Sequence, residues 1–325
     1  MNLTPLFEAL GVTRVHVHHA AEAMDRLGAL LTAVGVKYDL SVHDYALVCP
    51  RTNLARDGIY CGEPETLGCL ACLAAKPEPR AVDIIWWRER GRALMEGADR
   101  VICPSADAAD RMQRYAPKAR IVAAPHEASL YRPRGGEAQA ATLGADEPLR
   151  VVALGVLSEN KGGAFLLSCV EAAKTSAARI SWTVIGELPS PLDLRAKKLS
   201  NVLEVTGAYK SADLSRLISS ADPHLIFFPQ HIPETYSYTL SEAFSAARPI
   251  LAPRLGAFPE RLAGREGAWL YSIDAPADEI VRLILKLRDS VAQGEFLSDL
   301  GVSASLLRTK VVESFFEGRY LADSS

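Results

Sequence analysis

Short β-branched apolar runs, each closed by turn residues, alternate along this chain with longer segments of helical period. The runs Val12–His18, Asp39–His43, Val101–Pro104 and Ile121–Ala124 predict four strands in the first half. Leu149–Leu154, Ser181–Gly186, Val202–Thr206, Leu225–Phe228, Ile250–Ala252 and Ala268–Tyr271 predict six in the second. Between them, Ala20–Val34, Val82–Gly97, Gly163–Ala177, Ser211–Ser219, Thr239–Ala247 and Ala277–Ser290 carry helical patterns. Such alternation implies an α/β fold with parallel sheets, because parallel neighbours need a crossover long enough to hold a helix. Tyr131–Pro148, rich in Gly, Ala and charge and lacking a β pattern, predicts a linker. Leu307, Val311, Val312, Phe315, Phe316 and Tyr320 recur at helical spacing and predict a closing helix with an apolar stripe. The expected organisation is a short first domain over 1–135, a fuller nucleotide-binding-type domain over 148–305, and the closing helix over 306–325.

Composition narrows the function classes. A chain of 325 residues and 35.2 kDa suggests two folding units, and its apolar share of 49% excludes a largely disordered protein. The net charge of −3, from 36 basic and 39 acidic residues, argues against a nucleic-acid partner held by counterion release. No apolar run approaches the roughly 18 residues that span a bilayer. The start MNLTPLFEALG lacks the basic-then-apolar order of a signal peptide. The expectation is a cytoplasmic protein, with peripheral association at the inner face of the membrane allowed.

Chemistry concentrates at two places in the second half. In VVALGVLSENKGG (Val151–Gly163) an apolar strand ends at Gly155, and Lys161-Gly162 opens a helix. Glycine lets a ligand approach the backbone, and a helix N-terminus with a nearby lysine suits phosphate. The lysine precedes its glycine, so this is not a Walker A loop. The competing reading is an ordinary turn with a solvated lysine. The stretch FPQHIPETYSYTLSEAFSAARPILAPRLGAFPERL (Phe228–Leu262) holds Glu234 in a Pro-bounded loop. Thr235, Tyr236, Ser237 and Tyr238 lead into a helix where hydroxyl residues cap N–H groups. Glu242 follows Glu234 by eight residues. Carboxylates so placed accept hydrogen bonds from vicinal hydroxyls, with phosphate held between them at the helix start. The competing reading is one capping and one exposed glutamate.

These residues resemble the donor-binding half of glycosyltransferase family 4, retaining enzymes of GT-B architecture. The matches are the glutamate pair Glu234 and Glu242 and the G-x5-K-G loop of Gly155, Lys161 and Gly162. PETYSYTLSEAF, LGAFPERL, VIGEL (Val184–Leu188) and TGAYKSADL (Thr206–Leu214) look like a bacterial subgroup associated with surface polysaccharides. The likeness runs from Val151 to Arg261, with a weaker extension over Arg14–Pro133. It implies two Rossmann-like domains facing a cleft, the N-terminal one short or truncated. It also implies Lys161 on the donor diphosphate, Glu234 on sugar hydroxyls and Glu242 on ribose hydroxyls, with the backbone of Thr235–Tyr238 facing sugar and phosphate. Many members place an arginine after the loop glycine; here Val156 stands there, leaving Arg254 and Arg261 as candidate second phosphate ligands.

In the first half, VHVHHA (Val15–Ala20) places His16, His18 and His19 at one strand end, and DLSVHDY (Asp39–Tyr45) places His43-Asp44 at another. Ligands of open α/β sheets sit beyond the carboxyl ends of strands, so His43 is expected to face the cleft. The resemblance implies a histidine here near the transferred sugar; the competing role is structural. Cys49, Cys61, Cys69 and Cys72 fall within 24 residues broken by Gly58, Gly62, Pro64 and Gly68. So long an irregular stretch needs a staple. Four thiolates on a structural zinc would supply one, with Cys69 and Cys72 as the close pair; four small buried side chains are the alternative.

The resulting expectation is a hexosyltransferase that needs no metal or other cofactor for catalysis. It would move a hexose from a UDP- or GDP-sugar to a glycan or lipid-linked saccharide, in surface polysaccharide biosynthesis. The alternatives are a nucleotide-sugar epimerase on the same fold or a non-catalytic sugar-nucleotide-binding module. The short first half is expected to reflect either a trimmed product or a natural minimal form.

Overall fold

The computed structural model describes residues 4–20, 23–78, 82–125, 143–144 and 146–293. Within it the chain divides into two compact units. One holds 4–125 together with Pro233–Tyr236, and the other holds 143–232 and 237–293. The linker Tyr131–Pro148 lies mostly outside the described residues, and the closing helix over 306–325 lies wholly outside them.

The first unit runs α1 (Thr4–Ala9), β1 (Arg14–Val17), α2 (Met24–Val34), β2 (Lys37–Ser41), β3 (Ala55–Arg56), β4 (Ile59–Tyr60), α3 (Thr66–Ala75), α4 (Ile84–Glu96), β5 (Arg100–Cys103), α5 (Ala106–Tyr115) and β6 (Ile121–Ala123). Four of its strands form one parallel sheet in the order β1-β2-β5-β6. Sequence order and sheet order coincide because each crossover carries a helix that steps to the next strand on the same side. The strand β2 is buried along four of its five residues, Asp39 and Ser41 among them. Asp39 is fully buried and answers two guanidinium groups, Arg14 at 3.0 Å and Arg100 at 2.6 Å. A buried carboxylate is tolerated only with such pairing.

The Cys-rich segment, expected as irregular, instead holds the antiparallel hairpin β3–β4 and the helix α3, which contains Cys69 and Cys72. The run TLGCLACLAA after Pro64 sustains nearly three turns of helix that glycine and proline counting alone obscured. Its staple among the described residues is ionic. The Glu63 side chain, 3% exposed, pairs with Arg111 of α5, which also donates to Tyr60 Oη at 2.6 Å and to Asp107 Oδ2 at 2.6 Å. Arg51 adds a second tie, to Glu78 at 2.9 Å. Burial opposes the Arg111 charge, yet Asp107, Tyr45 and Tyr60 hold its pKa above the ordinary arginine value.

The second unit runs β7 (Leu149–Val156), α6 (Gly163–Thr175), β8 (Ile180–Glu187), α7 (Leu192–Lys197), β9 (Leu203–Val205), α8 (Leu214–Ala221), β10 (Leu225–Phe227), α9 (Tyr238–Ser245), β11 (Ile250–Pro253), α10 (Phe258–Leu262), β12 (Ala268–Tyr271) and α11 (Ala277–Gln293). Its six parallel strands follow the order β12-β11-β10-β7-β8-β9. Apolar layers cover both faces of this sheet, one built around Leu149, Val151, Phe227 and Trp269 and the other around Val152, Ile226, Phe228 and Phe258. Successive residues of one strand fall in opposite layers, as a two-residue side-chain period requires.

Candidate functional site

The first strand of the second unit, β7, is central. The chain proceeds outward through β8 and β9, then returns to place β10 on the other side of β7. Beyond the carboxyl ends of β7 and β10 the two connections diverge and leave a crevice, the usual ligand position in an open parallel sheet. The residues singled out at the first motif converge there. Gly155, at the end of β7, has φ +96° and faces Gly186 of β8, whose φ is +140°. A Cβ on Gly186 would lie 2.0 Å from the Gly155 carbonyl oxygen, so the end of β8 admits no side chain at Gly186. A Cβ on Gly155 itself would meet Thr239 Cγ2 of α9 at 3.4 Å, which brings the β7 loop beside the start of α9.

Gly162 is the N-cap of α6, at φ +78°, and presses against Pro229-Gln230 just after β10. Lys161, half-buried, immediately precedes it. The helix α9 begins from Ser237, also left-handed at φ +70°, whose side chain makes no cap hydrogen bond. The expectation that hydroxyl residues cap this helix is therefore not met for Ser237. Its Oγ lies 3.3 Å from Thr239 Oγ1 instead. The arrangement sets two helix N-termini without side-chain caps, α6 and α9, at the carboxyl edge of one sheet, an environment that favours anions.

Arg261 of α10 fixes the first turn of α9. It donates to the Ser237 carbonyl at 2.7 Å and to Ser241 Oγ at 2.8 Å. Proposed from sequence as a phosphate ligand, it braces the loop. Arg254 begins the segment after β11, its N–H bonded to the Tyr271 carbonyl at 2.8 Å. Glu242 is half-buried on α9 and its charge raises the pKa of Tyr209, after the larger effect of burial. Tyr238 is exposed. Two polar side chains that sequence reading passed over are buried beside Gly162: Gln230, with Oε1 unpaired, and His231, with Nε2 unpaired. The only sequence signal for them was their place between a strand end and Pro233.

Glu234, Thr235 and Tyr236 group with the first unit. There Thr235 Oγ1 donates to the His43 carbonyl at 2.8 Å, so the peptide next to Glu234 is tied to the loop carrying His43. Glu234 is half-buried, and Thr235 and Tyr236 are buried. His43 lies two residues beyond β2, at the carboxyl edge of the parallel sheet, among His16, His18 and His19. Burial lowers its pKa below the ordinary imidazole value, His19 and His18 lower it further, and Asp44 opposes them. A neutral imidazole at neutral pH follows.

Residues 148–288 match the family model described as Glycosyl transferases group 1. No curated protein matches the sequence. Among solved structures, sucrose-phosphate synthase from Thermosynechococcus elongatus superposes with a TM-score of 0.62 at 16% identity, over 90% of this chain and 68% of that one. HepE of Anabaena in complex with UDP gives 0.59 at 12% identity, over 90% and 75%. The lipopolysaccharide outer core galactosyltransferase WaaB gives 0.58 at 12% identity, over 91% and 70%. The fold is GT-B. The group 1 match covers the whole sheet of the second unit, including Gly155, Lys161, Gly162, Ser237, Tyr238 and Glu242, and supports a glycosyltransferase. In this GT-B chain no described helix is long and apolar enough to cross a membrane.

The four cysteines lie in the first unit, none of them in a disulfide. Burial pushes the Cys49 thiol up to about 11, with Cys61 and Cys69 adding to the shift, and burial likewise raises Cys61. Cys69 Sγ accepts from Arg88 Nη2 at 3.1 Å and faces the Pro64 carbonyl at 3.5 Å. Cys49 and Cys61 pack against the apolar core. Among the described residues no group of three or more His, Cys, Asp or Glu is arranged to hold a metal ion.

Proposed function

We propose that the protein is a retaining hexosyltransferase of glycosyltransferase family 4. It takes a hexose from a UDP- or GDP-sugar and passes it to a glycan or lipid-linked saccharide in surface polysaccharide biosynthesis. The observation that carries this reading is the meeting of the Gly155 turn, Lys161-Gly162 and the left-handed entry to α9 at the switch point of the six-stranded sheet. Two helix N-termini and one lysine there suit a diphosphate, and Glu242 on α9 suits a ribose diol. HepE of Anabaena, which shares the fold, binds UDP and UDP-glucose, consistent with such a donor. Retention without an enzymatic nucleophile implies same-face displacement: the sugar–phosphate bond breaks as the acceptor oxygen approaches, and the leaving diphosphate takes the acceptor proton. The protein then contributes position and charge stabilisation. Glu234 would contact sugar hydroxyls and His43 the transferring sugar. Membrane-surface work fits the exposed Leu67, Ile85 and Trp86 on the adjoining helices α3 and α4.

The deciding experiment is incubation with a panel of UDP- and GDP-sugars. A transferase releases nucleoside diphosphate slowly by hydrolysis, an epimerase makes an isomeric sugar nucleotide, and a binding module does neither. Lys161→Ala is expected to weaken donor binding by about 1.5–3 kcal/mol, the worth of a charge-assisted hydrogen bond to phosphate. Titration calorimetry with unchanged affinity would remove Lys161 from the diphosphate.

Structural zinc on Cys49, Cys61, Cys69 and Cys72 is a further proposal, supported by the mutual influence of Cys49, Cys61 and Cys69. Metal binding would have to overcome the burial that keeps Cys49 and Cys61 protonated. The expected result is about one zinc per chain by elemental analysis, with Cys69→Ser losing metal and stability together. Metal-free protein purified without chelator decides against it.

A further inference from the structure

The histidines of the first unit form a contact that the donor-side reading does not use. His18 Nδ1 lies 3.0 Å from His43 Nε2, a hydrogen bond between the loops that follow β1 and β2. The His18 ring also stacks on His16, centroids 4.2 Å apart, and His16 Nε2 is bonded to Ser41 Oγ at 2.8 Å. His19 sits 4.9 Å from the His43 ring, and His18, His19, His43 and Asp44 line one small cleft. We propose that His18 is the positioning residue of His43, fixing which ring nitrogen of His43 carries the proton and how the ring is aimed. This rests on the reading of His43 as the sugar contact.

The argument is one of proton count. Between two neutral imidazoles one facing nitrogen donates and the other accepts, so the contact couples the two tautomers. Only one proton fits between the facing nitrogens, so the tautomer of one ring sets that of the other. The surroundings favour the neutral pair. His16, held at about 4 chiefly by burial, adds no charge at neutral pH. The charged groups nearby are Asp44 beside His43, Asp39 and Arg100 behind His16, and Glu234 on the segment that holds the His43 carbonyl.

The test is histidine-selective 15N NMR on the full chain, titrated over about pH 5–8, together with steady-state kinetics. Wild type is expected to show one tautomer of His43. His18→Ala should give a mixed tautomer, move the His43 titration up toward the ordinary imidazole value, and lower kcat on the order of tenfold, one hydrogen bond's worth, with donor KM unchanged. His18→Asn, whose amide overlays Nδ1, should restore both signals; His18→Gln, whose amide reaches too far, should not. This contrast stands even if the alanine variant fails to fold. An unchanged His43 tautomer and titration in His18→Ala, or equal behaviour of the Asn and Gln variants, overturns the proposal. A changed tautomer with unchanged kcat sustains the positioning and removes His43 from the reaction.

Discussion

Arg111→Ala is expected to cost the first unit about 3–5 kcal/mol, the penalty for leaving a buried carboxylate without its partner. Glu63 is nearly inaccessible, and Arg111 is its buried counter-charge. The same guanidinium holds Asp107 at 2.6 Å, donates to Tyr60 Oη at 2.6 Å and lies over the Tyr60 ring at 5.0 Å. Removing it therefore unties the hairpin β3–β4 and the turn through Glu63 from α5. Hydrogen exchange across 51–75 should show the hairpin and α3 opening before the parallel sheet. Arg114 also reaches Glu63, at 3.2 Å, but its side chain is 60% exposed, so Arg114→Ala should cost less than about 1 kcal/mol. Denaturant midpoints of the two variants separate the cases. If both shift equally little, the buried pair does not hold the segment.

Gly162→Ala is expected to damage the second unit almost as severely. The position is left-handed, and a new Cβ would lie 2.1 Å from the Pro229 carbonyl oxygen and 2.9 Å from the Gln230 nitrogen. Both are backbone atoms at the end of a central strand, with no side chain to swing aside. The left-handed conformation alone costs about 1–2 kcal/mol and the forced displacement a further 1–3 or so, for a total on the order of 3 kcal/mol. Because the start of α6 must move off the β10 loop, affinity for a UDP- or GDP-sugar should fall at least about tenfold, the fold-change of 1.4 kcal/mol. Gly207→Ala is the control: it has φ +84° with nothing within 4 Å of a new Cβ, so it should pay the backbone cost alone. Equal thermal shifts for the two variants would show that the approach of Gly162 to Pro229 is unimportant.

Much of the scaffold was legible in the pattern of the chain. The ten strands of the two parallel sheets fall at or beside the short runs bounded by turn residues, the pattern that buried parallel strands leave in a sequence. The helices over Met24–Val34, Ile84–Glu96 and Gly163–Thr175 start within a few residues of their expected positions. The helix α3 was hidden because its apolar residues are spread around the axis; none is buried, so no one-sided stripe marks it. Short α5 was hidden for the opposite reason: its buried positions include Arg111, and charge reads as surface.

The sequence by itself determined the fold class, the unequal strand counts and the list of chemically suited residues, since these depend on local period and residue type. It named Gly155, Lys161, Gly162 and Glu242 without saying why two of them must be glycine. Only the tertiary structure decided that. Strand order places β10 beside β7, and the resulting approach of Pro229 to Gly162 leaves no room for a side chain there, while Gly155 ends its strand at a φ of +96°. It likewise set Arg261 against the Ser237 carbonyl, and joined His18 to His43 across 25 residues of chain. It also paired Glu63 of the Cys-rich segment with Arg111, forty-eight residues apart. Partners so distant along the chain leave no periodic trace in it, because their meeting is set by how sheets and helices pack and not by any local propensity.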